Sequence, residues 1–179
     1  MQVRNRFLVI FAKNRNNLSN TSYRIAKHTD AEQLLRTRRQ AVVNDTSGLY
    51  ADALLHSWAP AITKETIAAE AAALEKPDRV TIMAEEGAKV IGLCTLGISE
   101  ALLKQCYVLP EYHGRGIARE LVRQIETIAK ERGILSLQLS SSLLALDFYK
   151  KQGYNQLNSY DYDLGNGLQM PCVMMEKVL

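Results

Sequence analysis

The sequence predicts an α/β fold in which a single mixed, mostly antiparallel sheet is flanked by helices. Its elements read in the order β-αα-βββ-α-β-α-ββ, and a strongly amphipathic helix follows the run of three strands. Hydrophobic residues make up 47% of the chain and charged residues 23%, which is typical of a soluble globular protein. With 179 residues, the chain is long enough for one domain and too short for two of ordinary size.

Helical patterns dominate the first half of the chain after a short strand over residues 23–26. Thr29 and Glu32 have the spacing of a capping box, which predicts a helix start. Helical regions are also predicted over residues 50–58 and 64–76.

Three consecutive strands are predicted next. Apolar residues alternate over residues 80–84, and the chain turns over residues 85–89 and returns over residues 90–96, which is typical of a β-hairpin. The third strand covers residues 101–109 and ends before Pro110.

The most regular helix of the sequence follows this strand. Its apolar residues fall on one face of a 3.6-residue period, and Gly133 stands where a C-terminal cap belongs. The residues of that face are Ile117, Ala118, Leu121, Val122, Ile125, Ile128 and Ala129.

The rest of the chain is predicted to complete the sheet. Leu135, Leu137 and Leu139 alternate as a strand, and Ser141 or Ser142 caps a short helix that ends before Gly153. Two strands, over about residues 154–164 and 169–179, surround the turn Gly165-Asn166-Gly167.

Charge is unevenly distributed along the chain. The net charge is +3, yet the first 27 residues hold six basic residues and no acidic one, so the remainder is mildly acidic. Nucleic-acid binding by the body of the protein is therefore not expected. We predict a basic N-terminal extension over residues 1–20 and one domain over residues 21–179. The extension is either solvated or contacts an acidic partner.

Cysteine and histidine spacing excludes two further classes. Three widely spaced cysteines do not make a disulfide framework, which favours a reducing, cytoplasmic setting. The three histidines lack the spacing of metal ligands, so no metal is expected. The longest apolar run, residues 7–12, is far short of the ~20 residues that cross a bilayer, so no membrane partner is expected.

The stretch from Val108 to Ala118 carries the clearest chemical signal. A strand ends there, Gly114 and Gly116 form a turn, and the amphipathic helix begins. Glycine lets a ligand approach the backbone closely, and the first amides of a helix favour an anion by ~0.3–1 kcal/mol. Arg115 and Arg119 add positive charge, so the stretch predicts a phosphate or pyrophosphate site.

Two better-known phosphate loops are excluded. No Walker sequence is present, and a dinucleotide fingerprint needs a third Gly or Ala where Arg119 stands, within an early βαβ unit. Taken alone, the Gly-x-Gly pattern is equally compatible with an ordinary turn before a helix.

A second pattern follows the next strand, and the two together resemble the GNAT superfamily of N-acetyltransferases, which use acetyl-CoA. The family's loop, Gln/Arg-x-x-Gly-x-Gly/Ala, matches at Gly116 and Ala118. Its second signature, Asn-x-x-Ala followed by Phe-Tyr and then Gly-Phe/Tyr, matches at Ala145, Phe148, Tyr149, Gly153 and Tyr154. The resemblance extends over about residues 22–179. His113 and Ser142 depart from it, because the family has Gln or Arg and Asn at these positions.

The resemblance implies roles for individual residues. Acetyl-CoA would be the co-substrate, and Tyr149 would protonate the departing CoA thiolate. The backbone of Tyr107 and Val108 would pair with the pantetheine arm. Ser142 would also bind the coenzyme. The pyrophosphate would bind at the loop residues His113, Gly114, Arg115, Gly116, Ile117 and Ala118.

An acetyl acceptor must also lose a proton. An alkyl ammonium has a pKa of ~10.4, so deprotonation at pH 7 costs ~4.6 kcal/mol, and a carboxylate is the usual base. Glu100, at the entry to the strand before the loop, is the first candidate, although a solvent-facing strand end is an equal alternative. Glu85 and Glu86 lie at a hairpin turn and rank below it.

The acceptor itself is less constrained by the sequence. We expect a small primary amine or an amino-acid derivative. The alternatives are a protein N-terminus or lysine, or a non-catalytic acetyl-CoA sensor. A homodimer is compatible with the family, but no residue identifies an interface. An acidic, aromatic rim for a cationic amine, or merely a polar surface, would consist of Asp45, Asp52, Asp161, Asp163, Tyr50, Tyr160 and Tyr162.

Overall fold

The computed structural model describes residues 20–44, 48–59, 61–165 and 167–179. Seven strands form one sheet in the order β1-β2-β3-β4-β5-β7-β6. The strands are β1 (Thr21–Ile25), β2 (Arg79–Glu86), β3 (Lys89–Gly97), β4 (Leu102–Val108), β5 (Ser136–Ser142), β6 (Asn155–Asp163) and β7 (Gln169–Val178). The α-helices of the described residues are α1 (Ala31–Val43), α2 (Asp52–Trp58), α3 (Lys64–Leu74), α4 (Ile117–Glu131) and α5 (Leu146–Lys151).

The predicted fold class is confirmed. All neighbouring strands are antiparallel except β4 and β5, which are parallel. The three helical regions predicted before β2 are present as α1, α2 and α3. The predicted order β-αα-βββ, which has two helices there, is therefore one helix short.

The start of α1 differs from the prediction. A 3₁₀ turn over His28–Asp30 precedes the helix, and Asp30 rather than Thr29 stands at its N-cap. The Asp30 carboxylate accepts hydrogen bonds from the Lys27 N–H at 2.7 Å and from the Arg24 guanidinium at 2.7 and 2.9 Å. These bonds make Asp30 the anchor of the β1–α1 connection.

Helix α4 packs its apolar face onto the sheet, as its periodicity predicts. Its buried residues are Ile117, Leu121, Val122, Ile125 and Ala129. Gly92 on β3 permits this approach: a Cβ there would lie 3.0 Å from the carbonyl oxygen of Tyr107 and 3.3 Å from Cδ1 of Leu121.

The segment before α5 also differs from the prediction. Leu135 precedes β5 and is 81% exposed, whereas Leu137 and Leu139 are buried. Neither serine caps α5 through its side chain, because a 3₁₀ turn over Leu143–Ala145 intervenes. The hydroxyl of Ser141 instead donates to the carbonyl oxygen of Ser142.

The basic extension predicted for residues 1–20 lies outside the described residues, apart from Asn20. In the described ranges, no helix is long and apolar enough to cross a membrane.

Candidate active site

Strands β4 and β5 separate soon after they meet. Their pairing consists of Leu102 with Gln138 and Leu103 with Leu139, although β4 continues to Val108 and β5 continues to Ser142. Beyond these two pairs, the facing edges of β4 and β5 are not paired with each other. The sheet therefore opens at its centre.

A β-bulge lies where the strands part. On β3, Thr95 pairs with Gln105 and Leu96 pairs with Leu103, so Lys104 is an extra residue in β4. A bulge bends its strand and increases the local twist. This irregularity accounts for the divergence of β4 from β5.

The opening forms a cavity of about 1150 Å³. Its walls come from α1, α2, α3, the strands β2, β3 and β4, the loop after β4, the start of α4, the end of β5, α5 and the β6–β7 hairpin. Nine of the predicted site residues line it: Tyr107, Val108, His113, Gly114, Gly116, Ile117, Ala118, Ser142 and Tyr149. Arg115 and Glu100 are not among the lining residues.

The loop after β4 has the backbone expected of an anion-binding turn. Gly114 and Gly116 have φ of 76° and 79°, a left-handed conformation that costs other residues ~1–2 kcal/mol. Gly116 is the N-cap of α4 and has no side chain to cover the first helical amides. These amides can therefore receive an anion.

His113 ties this loop to the strand before it. Its Nε2 lies 3.0 Å from the carbonyl oxygen of Val108, and because a carbonyl oxygen only accepts, the imidazole N–H donates. His113, which departs from the family pattern, thus bonds the loop to the end of β4.

The two loop arginines have different surroundings. Arg115 lies 2.5 Å from the Glu86 carboxylate and 4.9 Å from the centre of the Tyr112 ring. Its guanidinium lowers the pKa of Glu86. Arg119 lines the cavity. Of the two loop arginines, Arg119 is therefore the one whose charge lies at the opening.

The backbone of β4 presents alternate residues to the opening. The Leu109 N–H donates to Ile91 on β3 at 2.9 Å, and antiparallel pairing alternates along a strand. Tyr107 therefore also turns its backbone toward β3, while Cys106 and Val108 face β5. Tyr107 lines the cavity, and its ring centre lies 6.1 Å from that of Trp58. A pairing of its backbone with the pantetheine arm stays a prediction.

Tyr149 is held within a group of aromatic rings on the cavity wall. Its ring centre lies 5.0 Å from that of Phe148 and 5.7 Å from that of Tyr154. Burial, and secondarily the nearby thiol of Cys106, raises the pKa of Tyr149 well above its ordinary value. The phenol is therefore protonated at neutral pH and can donate a proton or a hydrogen bond.

Glu100 is not placed at the cavity. It lies in the turn before β4, at the end of the strand far from the loop, and pairs with Lys104 at 2.6 Å. Its side chain is 49% exposed. Glu100 was suggested because it stands at one end of the strand, but the glycine loop follows the other end.

Two other carboxylates line the cavity, those of Glu70 and Asp163. Glu70 on α3 is largely buried and lies 2.5 Å from Arg79. The sequence analysis missed it. The available signal was an acid in an alanine-rich helical segment, which by itself is typical of a solvated helix face.

The acidic, aromatic rim is not assembled as predicted. Tyr162 and Asp163 line the cavity. The Tyr50 hydroxyl donates to the carbonyl oxygen of Pro171 and accepts from the Leu143 N–H. Tyr160 donates to the Ser140 hydroxyl. Asp52 and Asp161 are exposed and away from the lining, and Asp45 lies outside the described residues.

Comparison with known proteins agrees with this architecture. The model of the Acetyltransferase (GNAT) family matches residues 43–154. A spermidine N(1)-acetyltransferase from Thermoplasma acidophilum is 27% identical over 132 residues, which cover 70% of this chain and 82% of the relative.

Solved structures share the whole fold. A GCN5-related N-acetyltransferase from Rhodopseudomonas palustris superposes with a TM-score of 0.81 at 25% identity, covering 92% of this chain and 99% of the other. The PaiA N-acetyltransferase from Thermoplasma acidophilum, solved with coenzyme A, has a TM-score of 0.70 at 25% identity, covering 89% and 99%. Since the family model spans more than half of the chain, the protein belongs to the GNAT family and is an N-acetyltransferase.

Proposed function

We propose that this enzyme transfers the acetyl group of acetyl-CoA to an amine by direct attack within a ternary complex. The observation that carries the proposal is the opening between β4 and β5, bordered by both the glycine loop and Tyr149. A similar structure binds coenzyme A, and a relative acetylates an amine according to its name. The cavity is larger than the ~300–1,000 Å³ of common ligand sites, so two substrates have room.

The glycine loop suits the diphosphate of the co-substrate. Amides at Gly114, Arg115, Gly116, Ile117 and Ala118 would bind the pyrophosphate, with Arg119 supplying charge. His113 would position the loop rather than touch the phosphates, because its Nε2–H is already donated to the end of β4.

The edge of β4 suits an extended arm. The backbone groups of Cys106 and the N–H of Val108 face the opening, where an extended ligand can add to the sheet as a further strand would. Ser142, across the opening on β5, contributes a hydroxyl at the cavity wall.

Tyr149 would act as the general acid. Acetyl-CoA supplies an acetyl group activated as a thioester. The neutral amine nitrogen bonds to the carbonyl carbon, the carbon–sulfur bond breaks, and the sulfur takes its proton from the Tyr149 hydroxyl. The proton that the nitrogen sheds as it becomes an amide passes through solvent and restores the Tyr149 hydroxyl. Free thiols have a pKa of ~8.5 and phenols one of ~10, so proton transfer from a phenol to a thiolate in water is unfavourable. At this site, the burial that keeps Tyr149 protonated also disfavours a thiolate beside it, which favours the transfer.

We assign proton removal from the amine to Glu70 rather than to Glu100. Glu70 lines the cavity and is largely shielded from solvent, whereas Glu100 lies outside the lining and its side chain is 49% exposed. The proton passes to the Glu70 carboxylate directly or through water.

The acceptor would be a small amine or an amino-acid derivative. Acetylation of a protein N-terminus or lysine is the alternative within the same chemistry. Residues 1–20 would form an extension to a catalytic domain of residues 21–179, and removing them should leave acetyl transfer to a small amine unchanged.

Calorimetric titration with acetyl-CoA, free CoA and NADH tests the proposal. We expect micromolar, acetyl-CoA-selective binding, followed by thiol release when amines are added. Absence of binding to both CoA species would overturn the assignment of the loop. Binding without thiol release from any amine would support the sensor alternative.

A further inference from the structure

Two guanidinium groups line the cavity without a full set of acceptors. Arg38 extends from α1 and Arg79 from the first residue of β2. The Nε atom of each is buried and has no hydrogen-bond partner among the described residues. An atom without exposed surface cannot be reached from the cavity, so a ligand can meet these guanidinium groups only at their terminal nitrogens.

Arg38 also lacks a counter-charge. Its terminal nitrogen donates to the carbonyl oxygen of Trp58 at 2.8 Å, and its guanidinium carbon lies 5.8 Å from the centre of the Tyr107 ring. Both neighbours are uncharged. In the described parts of the chain, no carboxylate forms an ion pair with it.

The carboxylates that line the cavity are fewer than its cations. Glu70 is paired with Arg79, and Asp163 is exposed at the β6–β7 hairpin, where it accepts from the Gly165 N–H at 2.8 Å. The cations of the lining are those of Arg38, Arg79, Lys104 and Arg119, so its net charge is positive.

Uncharged polar side chains also line the cavity. Gln105 donates to the Thr95 hydroxyl at 3.0 Å, and Thr95 shares a hydrogen bond of 2.9 Å with Thr81. Thr95 and Gln105 are both cavity-lining residues. Such groups suit a polar acceptor.

We propose that the acetyl acceptor carries a carboxylate, as an amino acid or its close derivative does, and that Arg38 binds that carboxylate. This inference rests on the proposed function, and it separates this enzyme from a polyamine acetyltransferase, because a second cation beside Arg38 would be repelled. Guanidinium is the side-chain group best shaped to bind a carboxylate.

A panel of L-amino acids, each measured beside its primary carboxamide and beside spermidine, tests the proposal by thiol release. We expect kcat/KM for the preferred acid to exceed that for its amide about tenfold or more. An acceptor set in which amides or spermidine equal or surpass the acids would overturn it.

Substitution of Arg38 locates the preference. Arg38→Gln should bring acid and amide to similar kcat/KM, and Arg38→Lys should retain part of the preference because it keeps charge without the planar fork. Arg39→Gln is the matched control: Arg39 is adjacent on α1 but bonds the Ala59 carbonyl and is not among the cavity-lining residues. Unchanged selectivity in Arg38→Gln would contradict the proposal.

The unmutated enzyme provides a test that does not depend on folding of a variant. A carboxylic acid lacking the amino group should inhibit competitively against the acceptor, and its amide should not. Equal inhibition by both would count against Arg38. If the unmutated protein does not bind acetyl-CoA, the proposed function itself has failed. The calorimetric titration shows that result separately.

Discussion

The Nε2 of His113 donates a hydrogen bond to the carbonyl oxygen of Val108 across 3.0 Å. This bond joins the glycine loop to the end of β4, so the loop amides and the free edge of β4 keep one relative position. A histidine that departs from the family pattern thus has a positioning role in this chain.

His113→Ala should loosen the loop without touching the reacting atoms. Loss of one hydrogen bond of about 0.5–1.5 kcal/mol should weaken acetyl-CoA binding about 2- to 10-fold, measured by calorimetry, while kcat at saturation stays near its original value. His113→Gln keeps a donor and should recover part of the affinity. A kcat loss with unchanged affinity would argue against a positioning role.

The loop arginines should respond differently to removal of charge. Arg119 lines the cavity, whereas Arg115 is paired with Glu86. Arg119→Gln should weaken acetyl-CoA binding by about fivefold through loss of a charged contact to phosphate. Arg115→Gln removes an ion pair near the surface and should change affinity by less than about twofold. The reverse ranking in a binding titration would contradict the placement of charge at this site.

Tyr149→Phe should reduce kcat by ~10²–10⁴ if the phenol supplies general-acid catalysis. Acetyl-CoA affinity should change little, since the ring and its packing remain. Tyr154→Phe is the control, because Tyr154 is a buried tyrosine that contacts the Tyr149 ring but is not among the cavity-lining residues. If Tyr149→Phe acetylated a verified acceptor as fast as Tyr154→Phe and the unmutated enzyme, Tyr149 would be removed from the mechanism.

Glu70 and Glu100 can be compared by the same substitution. Glu70→Gln should lower kcat/KM by ~10²–10⁴, because the proton acceptor is lost. Glu100→Gln should be close to the unmutated enzyme. Thermal melting must accompany the kinetics, since Glu70→Gln leaves Arg79 without its partner. A well-folded Glu70→Gln enzyme with full activity would exclude Glu70 as the base.

Asp30 should make stability depend on acid pH. Its bonds to Arg24 lower the pKa of the carboxyl below its usual 3.8, so the stabilisation is present above about pH 4 and is lost as pH falls through the lowered value. Asp30→Asn should cost about 1.5–3 kcal/mol near neutral pH. Denaturant unfolding should show this difference shrinking toward about pH 3.

The matched control for this pH dependence is Glu32→Gln. Glu32 is 50% exposed and pairs with Arg36 one helical turn away, an arrangement that contributes only about 0.3–0.5 kcal/mol. A stability difference for Asp30→Asn that stayed constant with pH would show that the carboxyl is not responsible.

Local patterns were sufficient for much of the site. The positions of Gly114 and Gly116 indicated a tight turn before a helix, and both residues have positive φ there. Tyr149 was identified from its neighbours in sequence, and it does line the cavity. Thr29 was wrongly predicted as a cap, because the tertiary pairing of Asp30 with Arg24 selects a later helix start.

By itself, the sequence determined the order of the elements, the glycine loop and the aromatic signature after β5, because each depends on residues close together along the chain. Only the tertiary structure decided which charged side chains share the cavity. Arg38, Glu70 and Arg79 come from three separate elements and line one space only after α1 and α3 pack on the sheet. No sequence spacing encodes that encounter, since it depends on the register and bulge of β4 and on the direction in which each helix crosses the strands.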